Sequence, residues 1–349
     1  MKNSTVVIWV VLSVGLASVT VCGCGLGVAL WYRAAVPRSD GSRRDGSYND
    51  RFNERFNERS NVRNVPSPFS QPLALRSEDY ALARQSFQTH LVRFGPSPQP
   101  VTEGIRYPAG VQEIKYQSAG MELTAHVDGP PPDGGKRPAV LFLHSGFAFG
   151  GDDLEVPQPY RDAGFVVMAP VLRGENGQSG AFTFHYDEVQ DALGALETLS
   201  QLHYVDSERI CICGHGAGGT LAMLTAMTTN RFRAVAALSG TCDLSRNHRY
   251  LPFDTTDIRE FEMRSPVAYA TSFKCPARIY FGSQEVFALL AAQTTADRAR
   301  QAGLDVEILT VPGDQTRNVV PDAIQKSVEF FRSKTGAAPG NAESPQAEP

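Results

Sequence analysis

The sequence predicts an α/β protein: a mostly parallel, doubly wound sheet, preceded by a transmembrane helix and a disordered linker. Three observations carry this expectation. From residue 139 onward, six short apolar runs alternate with helical stretches. Near the N-terminus, no charged residue occurs between Asn3 and Tyr32. Between these regions lies a tract of mixed charge and low hydrophobicity. The composition agrees. A hydrophobic share of 42% over 349 residues excludes global disorder and a polytopic membrane protein. Lys and Arg number 33 against 37 Asp and Glu, so no basic field exists for a nucleic-acid partner. Six cysteines are too few for a disulfide scaffold of this length.

In chain order, residues 1–5 form a stub and residues 6–32 an almost wholly apolar span. Trp9 stands near its start, and Trp31 and Tyr32 at its end. About 20 helical residues cross a hydrocarbon core, and aromatic side chains favour both interfaces. The expectation is an uncleaved single-pass anchor that makes the membrane a partner. A cleaved signal fits less well, because its apolar region is usually about 7–15 residues. A lipoprotein reading rests on Val21-Cys22-Gly23-Cys24, but the apolar run continues past it. Arg33, Arg38, Arg43 and Arg44 follow the span against Lys2 before it, which leans the C-terminal side toward the cytoplasm.

Residues 33–72 read as a disordered Arg/Asn/Ser-rich tether containing the repeat Arg51-Phe52-Asn53-Glu54, Arg55-Phe56-Asn57-Glu58. Residues 73–110 read as a helical extension. Ser77 is its expected cap, Tyr80, Leu82, Phe87, Leu91 and Val92 its apolar positions, and Gly95-Pro96 its end. The main domain is expected over 111–334 and a disordered tail over 335–349. The domain opens with two runs flanking Ser118-Ala119-Gly120, a hairpin. The apolar runs 139–143, 165–169, 210–213, 234–238, 277–281 and 306–310 then follow. Uninterrupted apolar strands separated by helices imply a parallel sheet covered on both faces.

The strongest local signal is Ile210-Cys211-Ile212-Cys213-Gly214-His215-Gly216-Ala217-Gly218-Gly219, followed by a helix over Thr220 to Met227. A buried strand, a glycine-rich turn and a helix form the frame of a nucleophile elbow, written Gly-x-Ser-x-Gly. Here Gly214 and Gly218 keep the frame, while its centre is Gly216, which has no nucleophile.

From about Gln112 to Phe331 the chain resembles the prolyl-oligopeptidase and dienelactone-hydrolase branch of the α/β-hydrolases. The resemblance rests on the elbow, on Leu141-Phe142-Leu143-His144-Ser145-Gly146-Phe147, on Ser265-Pro266-Val267-Ala268-Tyr269 and on Lys274-Cys275-Pro276. It implies that His144, Ser145 and Gly146 belong to an oxyanion loop, and that Ala217 and His215 flank the nucleophile position. The family's serine, acid and histidine fall on Gly216, Glu285 and Gln315. A count supports the loss of the base. The seven histidines are His90, His126, His144, His185, His203, His215 and His248, and none follows Glu285. The triad order in this fold is nucleophile, acid, histidine. The resemblance therefore implies a hydrolase fold with a degenerate triad, no cofactor and no metal. The expected role is binding or scaffolding, with a small molecule or peptide as ligand of the degenerate cleft. The alternative is an active esterase or peptidase with a nonstandard site.

Other chemistries among these residues have ordinary explanations. Cys211, Cys213 and His215 share one strand face and invite a metal, but small packing residues on a buried strand account for them. Ser145 beside His144 invites a nucleophile, but in this fold the loop acts through its backbone N–H groups. Asp187 and Glu188 suit the start of a helix. Glu175, Asn176 and Gly177 read as a polar loop bordering the cleft. A disulfide between Cys242 and Cys275 is left open.

Overall fold

The computed structural model describes residues 73–100, 104–246, 251–313 and 319–336. The chain divides into two units, Met1–Gly46 and Ser47–Pro349. The first unit lies wholly outside the described residues, as do the rest of the tether and the tail from residue 337. The expected anchor over 6–32 and the tether over 33–72 are therefore outside them too. Among the described residues no helix is long and apolar enough to cross a membrane.

The extension is less helical than its apolar spacing implies. Helix α1 covers only Tyr80–Ser86, and its cap is Asp79, whose side chain accepts from Ala81 N; Ser77 is not the cap. Phe87 is already extended, at φ −109° and ψ 137°. Beyond it, long-range partners win over local helix formation. The Thr89 hydroxyl donates to Glu260, the His90 N–H does the same, and Leu91 forms a β-bridge with Phe253.

The sheet begins with β1 (Val111–Ser118) and β2 (Met121–Asp128), an antiparallel hairpin in the register Ser118↔Met121. Its two-residue turn puts Ala119 at φ 48° and Gly120 at φ 79°, the paired positive values of a turn that matches strand twist. Then come β3 (Arg137–Leu143), helix α2 (Gln158–Asp162), β4 (Val166–Pro170), helix α3 (Glu188–Gln201), β5 (Val205–His215) and helix α4 (Ala217–Ala226). The chain continues through β6 (Val235–Leu238), helix α5 (Ile258–Glu262), β7 (Ala277–Gly282), helix α6 (Val286–Gln301), β8 (Val306–Val311) and helix α7 (Val319–Thr335). Spatial order is β1-β2-β4-β3-β5-β6-β7-β8. Strand β2 runs antiparallel to β4, and β3 to β8 pair in parallel.

Both faces are dry. Along β3, Ala139, Leu141 and Leu143 join the larger core, which also contains Leu196 and Leu199 of α3 and Leu221 and Leu224 of α4. Val140 and Phe142 face the other core, with Tyr160 of α2 and Ile324, Val328 and Phe331 of α7. Each fully buried Leu, Val or Phe contributes about 1.5–3 kcal/mol, which is why such runs read as continuously apolar strands. Cys211 and Cys213 belong to the second core as free thiols. Cys242 and Cys275 are free thiols as well, so that disulfide does not form.

Candidate active site

The parallel strands deliver the candidate residues to one edge of the sheet. His144, Ser145 and Gly146 follow β3, Glu175 follows β4, Gly216 follows β5, Ser239 follows β6 and Glu285 follows β7. The carboxyl edge of such a sheet is where this architecture places its ligands. Gln315, after β8, lies outside the described residues. The chain leading toward it is described: Ser283 N donates to Val311 O at 2.9 Å and Gln284 N to Gly313 O at 3.0 Å. That backbone therefore meets the turn that carries Glu285.

Gly216 sits at the apex of a complete elbow, at φ 54° and ψ −116°. The flanking glycines are required by space. A Cβ on Gly214 would stand 2.1 Å from Gly218 O, and one on Gly218 would stand 2.2 Å from Leu143 O. At Gly216 the constraint differs. A Cβ there would meet only the Ser145 side chain, with Oγ at 2.8 Å, and a hydroxyl can rotate away. The apex could therefore hold a side chain at the cost of a left-handed backbone. Ser145 Oγ takes up the volume that such a side chain would enter. His215 ends β5, half-buried and opposite Leu238 of β6, and Ala217 opens α4.

Glu285 follows β7 directly, at the turn that leads into helix α6. Its Oε1 accepts from Ser239 Oγ and from Gly282 N, both at 2.7 Å. Ser239 itself has φ 51° and donates its N–H to Tyr280 O. Sequence reasoning missed Ser239, which no motif marks.

Behind the loop after β3 lies a buried ion pair. His144 Nε2 is 2.9 Å from Glu175 Oε2, and its Nδ1 is 3.2 Å from Ser145 O. Glu175 also accepts from Leu172 N at 3.2 Å. Burial works against a charged imidazole, but the Glu175 carboxylate outweighs it and holds the His144 pKa up at about 9. At neutral pH this ring carries both protons, donating to Glu175 and to a carbonyl, so it is no general base. Asp153 lies nearby, its Oδ2 accepting from Gly150 N at 2.9 Å, and burial pushes its carboxyl up to about 7. Glu175 is thus a buried partner of the loop, and the polar-loop reading of it is corrected. Glu188 opens helix α3 behind Asp187 as the sequence implies, and it is buried there: it is 2% exposed, accepts from Thr183 N and Oγ1, and burial raises its pKa to about 7.

The loop is also held from the N-terminal extension. Gln99 is 5% exposed, and its Oε1 accepts from Phe147 N at 3.0 Å. Gly146 is at φ 78°, and a Cβ there would stand 2.8 Å from that same Oε1. Among the described residues, no three His, Cys, Asp or Glu side chains are grouped to hold a metal ion.

A mostly parallel eight-stranded sheet in this order, with its elbow after β5, is the α/β-hydrolase fold. Residues 153–323 match the model of the prolyl oligopeptidase family. An uncharacterized peptidase of Bacillus subtilis, YtmA, is 31% identical over 137 residues, covering 36% of this chain and 51% of that protein. Acylamino-acid-releasing enzyme 2 of Oryza sativa is 23% identical over 213 residues, covering 52% of this chain and 28% of the enzyme. The chain thus spans about half the length of one curated relative and about a quarter of the other. A puromycin-hydrolyzing peptidase of Mycobacterium tuberculosis superposes with a TM-score of 0.58 at 21% identity, covering 66% of this chain and 41% of that one. The esterase Pf2001 of Pyrococcus furiosus superposes with 0.54 at 17% identity, covering 69% and 99%. Identities this low establish a shared fold.

Proposed function

We propose that this protein is a membrane-anchored α/β-hydrolase-fold protein whose cleft binds a small molecule or peptide without hydrolysing it. The observation that carries the reading is Gly216 at the apex of an elbow whose flanking glycines are all in place. Acyl transfer needs a nucleophile and an imidazole that deprotonates it. The apex supplies no nucleophile, and no histidine follows Glu285 in the sequence. His144 is held as an imidazolium. Losing nucleophile and base together costs about a millionfold, leaving at best the ~10³–10⁴ that binding and oxyanion groups provide. The apolar span over 6–32, with the arginines that follow it, supports a single-pass anchor with the domain on the cytoplasmic side.

A second reading has one observation in its favour, the Ser145 hydroxyl in the volume of the missing nucleophile. It is an esterase or peptidase working through Ser145.

The test is repair. Full-length protein in detergent micelles is assayed on activated esters as wild type, as Gly216→Ser, Gln315→His, and as Ser145→Ala. The binding reading predicts turnover only in the repaired double variant. Wild-type turnover abolished by Ser145→Ala would favour the second reading. Carbonate extraction tests the anchor: the full chain should stay with membranes, and release into the supernatant would refute it.

A further inference from the structure

The segment that holds the loop after β3 has an unusual makeup. Residues 94–100 read Phe94-Gly95-Pro96-Ser97-Pro98-Gln99-Pro100. Gly95, Ser97 and Gln99 each precede a proline, which disfavours helical backbone and extends them before any contact forms. The three prolines have no N–H, so the polar groups left to recognise are few. The surrounding loops engage four of them. Gly95 O accepts from Phe182 N at 2.9 Å, Ser97 N donates to Gly174 O at 2.9 Å, and Ser97 Oγ donates to Phe147 O. Gln99 then places its carboxamide oxygen on Phe147 N. Gly146, left-handed and without a Cβ, makes room for that oxygen.

Phe147 lies two residues from Ser145, whose hydroxyl marks the apex of the elbow. A carboxamide on this N–H is chemically an amide carbonyl bound at the rim of the cleft. The site has the features of a built receptor: a fully committed backbone donor, a glycine that clears space, and two flanking backbone contacts that read an extended strand. Its present occupant is a peptide.

We propose that the groove between the loop after β3 and the loop after β4 is a peptide-binding subsite, specific for an extended, proline-alternating strand that carries a carboxamide. Residues 95–99 are its internal ligand, and an external peptide of the same chemistry competes with them. This rests on the reading of the cleft as a binding site. Tethering gives the internal segment an effective concentration of order millimolar, so an external peptide of comparable intrinsic affinity binds the wild type weakly.

The probe is the acetylated, amidated, fluorescein-labelled peptide of residues 94–100, titrated by fluorescence anisotropy into the full-length chain in micelles. Gln99→Ala removes the competing carboxamide, and the peptide should bind at least tenfold more tightly than to wild type. Gln99→Met keeps the bulk but offers no carbonyl; a probe peptide with that same change should lose the gain on the Gln99→Ala protein. Ser97→Ala, which leaves the Gln99 contact in place, should give a smaller gain and guards against a misfolded first variant. Equal affinity for wild type and folded Gln99→Ala, or no binding to either, overturns the proposal. So does a methionine probe that binds as well as the glutamine one. Mass spectrometry of the recovered probe reports separately on the function reading: cleavage would defeat the binding-only account, while the affinity ratio would still decide the subsite.

Discussion

Replacing Gly216 with alanine separates two reasons for a glycine at the apex. Where the backbone suits any residue, Gly→Ala stabilises by about 0.4–1 kcal/mol, because the unfolded chain loses freedom. At φ 54° and ψ −116°, a side chain instead incurs a strain of about 1–3 kcal/mol. The new Cβ would also press on Ser145 Oγ at 2.8 Å, a contact relieved by turning one hydroxyl, at a cost of roughly 0.5–1.5 kcal/mol if it leaves its rotamer. The expected sum is a destabilisation of about 1–4 kcal/mol. At about 2–4 °C per kcal/mol for a domain of this size, the melting temperature falls by roughly 2–16 °C. Thermal melts of wild type, Gly216→Ala, Ser145→Ala and the double variant form a cycle. The coupling should be no larger than the rotamer cost, with most of the loss surviving in the Ser145→Ala background. A stabilised Gly216→Ala would refute the strained apex. Full recovery in the double variant would show that crowding, and not backbone strain, keeps the glycine.

Two further outcomes follow from the packing. Gly218→Ala sets a Cβ 2.2 Å from Leu143 O and 2.4 Å from His144 O, both backbone atoms, so soluble folded protein should be lost; Gly104→Ala, with nothing within 4 Å, is the neutral control, and circular dichroism reads both. Glu175→Gln breaks the buried pair with His144 and should cost about 3–5 kcal/mol at pH 6 by urea unfolding. The His144 pKa is raised in the folded state to about 9, from about 6.5 when unfolded. Its stabilisation is therefore complete below about pH 6.5 and lost as the pH climbs through 9. The gap between wild type and variant should narrow over that window, and a constant gap would contradict the charged pair.

Much of the fold is visible in the chain because strands buried on both faces must be apolar throughout. All six runs found in this way are strands, with boundaries shifted by a residue or two at most except in β5, which starts at Val205. Gly214 and Gly218 are legible for a similar reason, since strand and helix approach so closely that a Cβ has no room. What stayed hidden depends on contacts between distant residues. The apolar spacing through Phe87 and Leu91 resembles a helix, yet Glu260 and Phe253, far along the chain, draw that segment straight. Glu175 and His144 are 31 residues apart and no local pattern couples them. Gln99 sits in a proline-rich stretch that reads only as the end of a helix, and its role emerges from the fold that brings Phe147 to it.

The central claim, a hydrolase fold without hydrolase chemistry, is tested most directly by labelling the wild-type, full-length protein with a fluorophosphonate that reacts with activated serines. The account predicts no adduct above that of heat-denatured protein, and a stoichiometric adduct in Gly216→Ser, Gln315→His. A wild-type adduct mapped to Ser145 would contradict it.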